Sequence, residues 1–289
     1  MTDSLNASSI SRAVVLGAGT MGNGIAQVCA QSGMHVVLFD INDAAVASGM
    51  KNIERMLSKA VEKGKVSADE VALTLSRIST STDLSLSCEG AQLIVEAIPE
   101  KLELKKSVLA QIEAAVGAQC LIASNTSSLS ISKIADGMQH PQRFLGMHFF
   151  NPVPLMALLE VVVGEQTSDA HCDLAVALSE RLGKHPIVVQ DAPGFASSRL
   201  GVCIGLEAMR MLEDKVASAA DIDTAMELGY RHPMGPLRLT DLVGLDVRLG
   251  IAEYLTEKLG ERFTPPQILR DMVAAGKLGK KSGEGFYKW

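Results

Sequence analysis

Two titratable residues stand where the chain otherwise reads as buried core: His148 in "FLGMHFFNP" and Glu160 in "LLEVVVG". A histidine exchanges protons near neutral pH, because its ordinary pKa is about 6.5. A carboxylate inside a Leu/Val run is costly unless it has a partner. Glu160 therefore reads as the group that fixes the imidazole tautomer and favours its protonated form. Such a pair suits alcohol oxidation, in which the imidazole takes the hydroxyl proton while the carbon loses hydride. An isolated buried histidine is as readily a satisfied structural residue, and it is the embedded glutamate that tips the reading toward catalysis. His35, His140, His171, His185 and His232 show no metal-ligand spacing, so they read as structural or exposed and no metal is expected.

The hydride needs an acceptor, and "AVVLGAGTMGNGIAQ" has the spacing G-x-G-x-x-G at Gly17, Gly19 and Gly22, with Thr20 and Met21 between the last two. Gly17 permits a tight turn, Gly19 lets backbone approach a pyrophosphate, and Gly22 allows close helix packing. The motif alone is weak. Here it follows an apolar strand pattern, opens a helical one, and precedes a second strand, "HVVLFD", that ends in Asp40. A carboxylate there accepts hydrogen bonds from ribose hydroxyls and repels a 2′-phosphate, which favours NAD over NADP. A Gly-rich turn and a strand-ending acid without a ligand form the bland alternative.

Two further stretches carry polar groups at strand ends. "IASNTSSLSIS" presents Ser124, Asn125 and Ser127, which suit positioning a carbonyl or hydroxyl substrate and equally suit capping a helix. "VEAIPEKLELKK" offers Glu100 and Lys105, which could reach the nicotinamide half of a cofactor or simply form a solvated helix start.

The elements that must position these groups alternate. Strand patterns cover 13–16, 35–40, 93–96, 121–124, 144–147, 158–163 and 187–190, separated by helical spacing. A polar helical stretch over 43–77, broken near "EKGKVS", reads as a helical hairpin projecting from the sheet. After "DAPG" the strand signals stop, and 195–213 is apolar around much of a helix circumference, which suggests burial within a small domain or against a second subunit. The expectation is an α/β fold: a Rossmann-like, mostly parallel sheet with a helical hairpin insertion, followed by a smaller all-α C-terminal domain. The division falls at 1–191, for NAD binding, and 192–289, the helical part. At 289 residues two domains are the default. A net charge of −6 argues against a general nucleic-acid binder. Five scattered cysteines without CxxC spacing argue against a zinc site or disulfide framework. With neither a basic-then-apolar start nor a span-length apolar run, no membrane is expected, and a reducing cytoplasm fits best. Residues 1–11 read as a loose tail.

Together, "GAGTMGNGIAQ", "VEAIPE", "SNTSSLSI", "RFLGMHFFNPVPLMALLEVV", "DAPGF", "HPMGPLRLTDLVGLD" and the closing "GKKSGEGFYKW" resemble the L-3-hydroxyacyl-CoA dehydrogenase family, including the bacterial 3-hydroxybutyryl-CoA dehydrogenases. The motifs run in order over nearly the whole chain. The resemblance implies reversible, NAD-dependent oxidation of a short-chain L-3-hydroxyacyl-CoA to the 3-oxoacyl-CoA. By matched position it implies that His148 is the base and Glu160 its electrostatic partner, and that Asn151 and Ser127 hold the 3-oxygen and thioester region. Gly17, Gly19, Thr20, Met21, Gly22 and Asp40 would line the NAD site, with Glu100 and Lys105 near the nicotinamide ribose. It further implies an acyl-CoA substrate, a homodimer through the helical domain, and a hairpin whose Lys59 or Lys63 contacts CoA phosphates. A solvated helix face accounts for either lysine alone. One position departs: three residues after "PGF" the family usually carries asparagine near the substrate, and here Ser198 stands, which is shorter and has fewer hydrogen-bonding groups. The alternatives are a 3-hydroxyadipyl-CoA dehydrogenase of aromatic degradation, a dehydrogenase of a free hydroxy acid, and a catalytically silent dinucleotide-binding protein.

Overall fold

The apolar runs of the first two-thirds of the chain assemble into one sheet. In this computed structural model, which describes residues 6–289, the chain divides into two compact units, Met1–Ala192 and Pro193–Trp289. The first contains eight strands: β1 Arg12–Leu16, β2 His35–Phe39, β3 Ile78–Ser81, β4 Leu93–Glu96, β5 Leu121–Ser124, β6 Phe144–Phe149, β7 Leu158–Val163 and β8 His185–Gln190. Their order is β3-β2-β1-β4-β5-β6-β7-β8. Every neighbouring pair is parallel except β6 and β7. Central strands such as "AVVL" of β1 are buried on both faces, as parallel sheets covered by helices require.

The covering helices are α1 Thr20–Gln31, α2 Asp43–Glu62, α3 Ala68–Ser76, α4 Leu84–Cys88, α5 Leu102–Ala115, α6 Ile131–Ala135 and α7 Asp169–Arg181. The expected helical hairpin is α2 and α3. Asn42 caps α2 by accepting from Ala45 N, and Ser67 with Glu70 forms a capping box on α3. The "EKGKVS" break is the turn between them, where Gly64 adopts φ +65°. Gly49 lets α2 close on the loop after β1, because a Cβ there would lie 2.8 Å from Ala18 O.

The second unit is helical: α8 Ser197–Glu213, α9 Ala219–Thr224, α10 Pro236–Val243, α11 Leu245–Leu259 and α12 Gln267–Ala274. Val202, Leu206, Leu237, Leu245, Leu255 and Leu269 form its core. Buried Asp241 ties down the chain end by accepting from Phe286 N, Tyr287 N and Trp289 Nε1, each at 2.9 Å. The fold class is the expected α/β arrangement with a helical C-terminal region.

Two details differ from expectation, and a third, the burial of 195–213, is divided between a covered and an outward side. Strand β3, "ISTS", carries no apolar run; it is an edge strand paired with β2, and half-exposed edge positions need no hydrophobic pattern. Of the expected loose tail, residues 1–5 lie outside the described residues, but Ala7–Ser9 forms a 3₁₀ turn and Ala7 and Ile10 are buried. Arg181 holds this segment by donating to Ala7 O at 2.6 Å and Ile10 O at 2.7 Å. Helix α8 buries only one side, and Leu200 (63% exposed) and Ile204 (38%) face outward.

Candidate active site

Strands β1 to β6 all run the same way, so the loops at their carboxyl ends share one edge of the sheet. The connection order reverses between β1 and β4, and open α/β sheets bind ligands at such a switch point. There Gly17 donates to Phe39 O at 2.8 Å and takes φ +96°. A Cβ on Gly17 would lie 2.6 Å from Ala97 O, and one on Gly22 would lie 1.7 Å from Gly17 O. Gly19 differs: nothing stands within 4 Å of its Cβ position, and as the N-cap of α1 it supplies no side-chain cap. Thr20 is exposed in the first turn, while Met21 turns partly inward against the core. The first amides of a twelve-residue helix therefore open on clear space, the arrangement that binds a phosphate. Asp40 closes the far side, Oδ2 accepting from Ala18 N and Oδ1 from Ile41 N, both at 2.8 Å. Each carboxylate oxygen retains a lone pair for a ribose hydroxyl. The cradle fits a dinucleotide.

Beside it, the turn after β4 holds a charged network. Glu96 and Lys105 are buried and paired at 2.6 Å, and Lys105 Nζ also lies 3.3 Å from Glu100 Oε2 and donates to Ile98 O. Lys105 on α5 is thus 1% exposed, where the charge pattern suggested a solvated helix start. Glu100 Oε1 accepts from Thr126 Oγ1 at 2.5 Å, Ser127 N at 3.2 Å, Ser128 N at 3.3 Å and Ser128 Oγ at 3.1 Å. Burial opposes ionisation of Glu100, but the Lys105 ammonium and the hydrogen bonds from Thr126, Ser128 and Lys105 outweigh it, holding the carboxyl below the ordinary glutamate range. These bonds join the turn after β4 to the turn after β5.

His148 and Glu160 occupy opposing positions of the antiparallel β6–β7 pair, with Nδ1 2.7 Å from Oε2. Leu145, Met147 and Phe149 alternate to the opposite face, where they join the main core. Both polar side chains are buried, and the Phe150 ring lies 4.5 Å from the imidazole, centroid to centroid. With Nδ1–H donated to the carboxylate, the acceptor nitrogen is Nε2, which suits a general base. Asn125 fixes the strand end by accepting from Phe149 N at 2.9 Å. Asn151 follows, exposed, on a turn whose next residues are anchored. Lys184 donates to Val153 O at 2.6 Å and Met156 O at 2.9 Å, and Val153 packs on Gly24 of α1.

The structure thus brings Ser127 into the Glu100 network and sets Asn151 two residues beyond the Asn125-bound Phe149. Lys59 and Lys63 lie exposed at the end of α2 and form no ion pair among the described residues. Ser198 is the second residue of α8, in the other unit. Sequence reasoning overlooked Glu96 and Lys184. Glu96 carried the same signal as Glu160, a carboxylate ending the apolar run "LIVE". Nothing local marked Lys184, whose partners lie 28 and 31 residues away.

A dinucleotide cradle and a His–Glu pair on one sheet edge define an NAD-dependent oxidoreductase that acts on a hydroxyl-bearing carbon. The chain belongs to the 3-hydroxyacyl-CoA dehydrogenase family: the family's NAD binding domain matches residues 12–192 and its C-terminal domain residues 194–289. A probable 3-hydroxybutyryl-CoA dehydrogenase of Deinococcus radiodurans is 45% identical over 95% of this chain and 99% of its own length. The mitochondrial hydroxyacyl-coenzyme A dehydrogenase of Sus scrofa is 43% identical over 97% of this chain and 91% of its own. The crystal structure of (S)-3-hydroxybutyryl-CoA dehydrogenase from Ralstonia eutropha superposes with a TM-score of 0.93 at 44% identity, covering 97% of this chain and 99% of that one. These relatives do not favour the free-acid, hydroxyadipyl or catalytically silent alternatives. Among the described residues no helix is long and apolar enough to cross a membrane, and no cluster of three or more His, Cys, Asp or Glu could hold a metal.

Proposed function

We propose that this NAD-dependent dehydrogenase oxidises short-chain L-3-hydroxyacyl-CoA, of the 3-hydroxybutyryl-CoA type, with His148 taking the hydroxyl proton at Nε2. Bound NAD supplies the hydride acceptor. Glu160 orients the imidazole and offsets the charge it gains, while Asn151 and Ser127 hold the 3-oxygen and thioester region. Gly17, Gly19, Thr20, Met21 and Gly22 cradle the pyrophosphate, Asp40 takes the adenosine ribose, and Glu100 takes the nicotinamide ribose with Lys105 beneath it. Lys59 and Lys63, four residues apart at the end of α2, offer a CoA phosphate two cations on one helix face. Ser198 is proposed to shift acyl preference, so that Ser198→Asn changes relative rates across acyl lengths. The first unit is the NAD-binding domain and the second the dimerisation and substrate domain. Outward Leu200 and Ile204 support a homodimer, and five free cysteines support a cytoplasmic location.

The observation that carries the reading is the 2.7 Å His148–Glu160 contact on the carboxyl edge of the sheet. The test is NADH formation, followed by absorbance, from L-3-hydroxybutyryl-CoA and from free 3-hydroxybutyrate. Turnover confined to the thioester is expected; equal rates would remove CoA from the proposal.

A further inference from the structure

Glu96 is a carboxylate for which proton transfer at His148 has no use. It ends β4 with no solvent exposure. Its Oε1 accepts from Lys105 Nζ at 2.6 Å and from Ile98 N at 2.8 Å, and its Oε2 accepts from Ser124 Oγ at 2.6 Å. A buried ion pair is weak evidence for stability, because desolvating both charges offsets their attraction, and an apolar pair of similar volume serves packing as well. The charge itself therefore calls for a use.

Lys105 lies between two carboxylates, 2.6 Å from Glu96 and 3.3 Å from Glu100. One ammonium and two carboxylates leave the trio with one net negative charge. The shorter contact goes to fully buried Glu96, so the uncompensated charge falls on Glu100, whose side chain is 37% exposed. The 97–100 turn borders the dinucleotide cradle, since Ala97 O stands 2.6 Å from where a Cβ on Gly17 would be. With a neutral residue at 96, Lys105 would pair with Glu100 alone and the trio would carry no net charge.

An oxidised nicotinamide ring is cationic and a reduced one is neutral, so a net negative charge beside it discriminates between them. We propose that Glu96 is a positioning residue that, by engaging Lys105, leaves the charge of Glu100 unneutralised toward the nicotinamide end of the crevice, so that the site favours oxidised over reduced cofactor. This rests on the proposed placement of Glu100 at the nicotinamide ribose.

The test measures Kd for NADH by its fluorescence and for NAD by competition, on the full-length chain. Glu96→Gln brings the trio to zero charge and should raise the ratio Kd(NAD)/Kd(NADH) on the order of tenfold, for one unit charge several ångström away and partly screened. Lys105→Gln brings it to two negative charges and should lower the ratio. The double variant restores one negative charge and should restore the parental ratio within about threefold, which the loss of a merely structural bond would not do. If Glu96→Gln does not fold, Lys105→Gln against the double variant still compares two charge states. A ratio that ignores the charge of the trio, with both cofactor forms weakened together, overturns the inference. Failure of the parent to bind NAD or form NADH would instead remove the proposed function.

Discussion

His148 and Glu160 are direct cross-strand neighbours on the antiparallel step of the sheet, Nδ1 2.7 Å from Oε2. An imidazole held in this way gives one nitrogen to the carboxylate and works through the other. His148→Gln should lower kcat by about two to four orders of magnitude while NADH binds as before, judged by steady-state rates and fluorescence titration. Glu160→Gln keeps the hydrogen bond without the charge, so its loss should be smaller, on the order of tenfold to a hundredfold. Undiminished turnover in His148→Gln would exclude it as the base.

Two glycines of the phosphate loop separate folding from binding. Gly22→Ala drives a Cβ to 1.7 Å from Gly17 O, so both Tm and NAD affinity should fall. Gly19→Ala meets no atom within 4 Å, so Tm should hold while NAD affinity drops, because in the proposed site that space takes the pyrophosphate. Thermal melts paired with NAD titrations give the answer; unimpaired NAD binding in Gly19→Ala would move the pyrophosphate elsewhere.

Asp40 already accepts from Ala18 N and Ile41 N, which leaves lone pairs for the ribose hydroxyls of the proposed NAD site. Asp40→Ala should weaken NAD far more than NADP, since it removes ribose acceptors and a charge that repels the 2′-phosphate. Comparing kcat/KM for the two cofactors tests this, and equal losses would contradict the ribose role.

Glu100 is held below the ordinary glutamate range when folded, so the folded state keeps its carboxylate ionised to lower pH than the unfolded chain does. Its stabilising contribution is present above the unfolded value, about pH 4.5, and is lost as pH falls through the folded one. Glu100→Gln should therefore show a shallower fall of Tm on acidification below about pH 4.5 than the parent does. Parallel Tm curves would place the acid sensitivity in other groups.

Leu200 and Ile204 share the outward side of α8, one turn apart. In the proposed homodimer this side is the contact, so Ile204→Glu should give a monomer, read by light scattering coupled to size exclusion, because a charge buried at an apolar contact costs several kcal/mol. An unchanged mass would move the interface off α8.

Much of this was written locally in the chain. The G-x-G-x-x-G turn, the strands around it and Asp40 follow from short-range chemistry: glycine conformations, an alternation of apolar runs and a carboxylate at a strand end. The helical hairpin was legible through its polar helical spacing and the "EKGKVS" break. Strand β3 was not, because an edge strand built of Ile-Ser-Thr-Ser carries no hydrophobic pattern. Glu96 was legible in principle, by the signal that drew attention to Glu160, whereas the burial of Lys105 was hidden in what looked like an ordinary charged helix face.

The sequence by itself determined which residues are chemically out of place: a histidine and two glutamates at the ends or centres of apolar runs, and glycines where side chains would collide. Tertiary structure alone decided which of them meet. His148 and Glu160 are 12 residues apart, and a one-residue slip of the β6–β7 register would send Glu160 to the opposite face. The turn between those strands is held through its carbonyls by Lys184, the residue before β8, a contact between distant segments that no local pattern encodes.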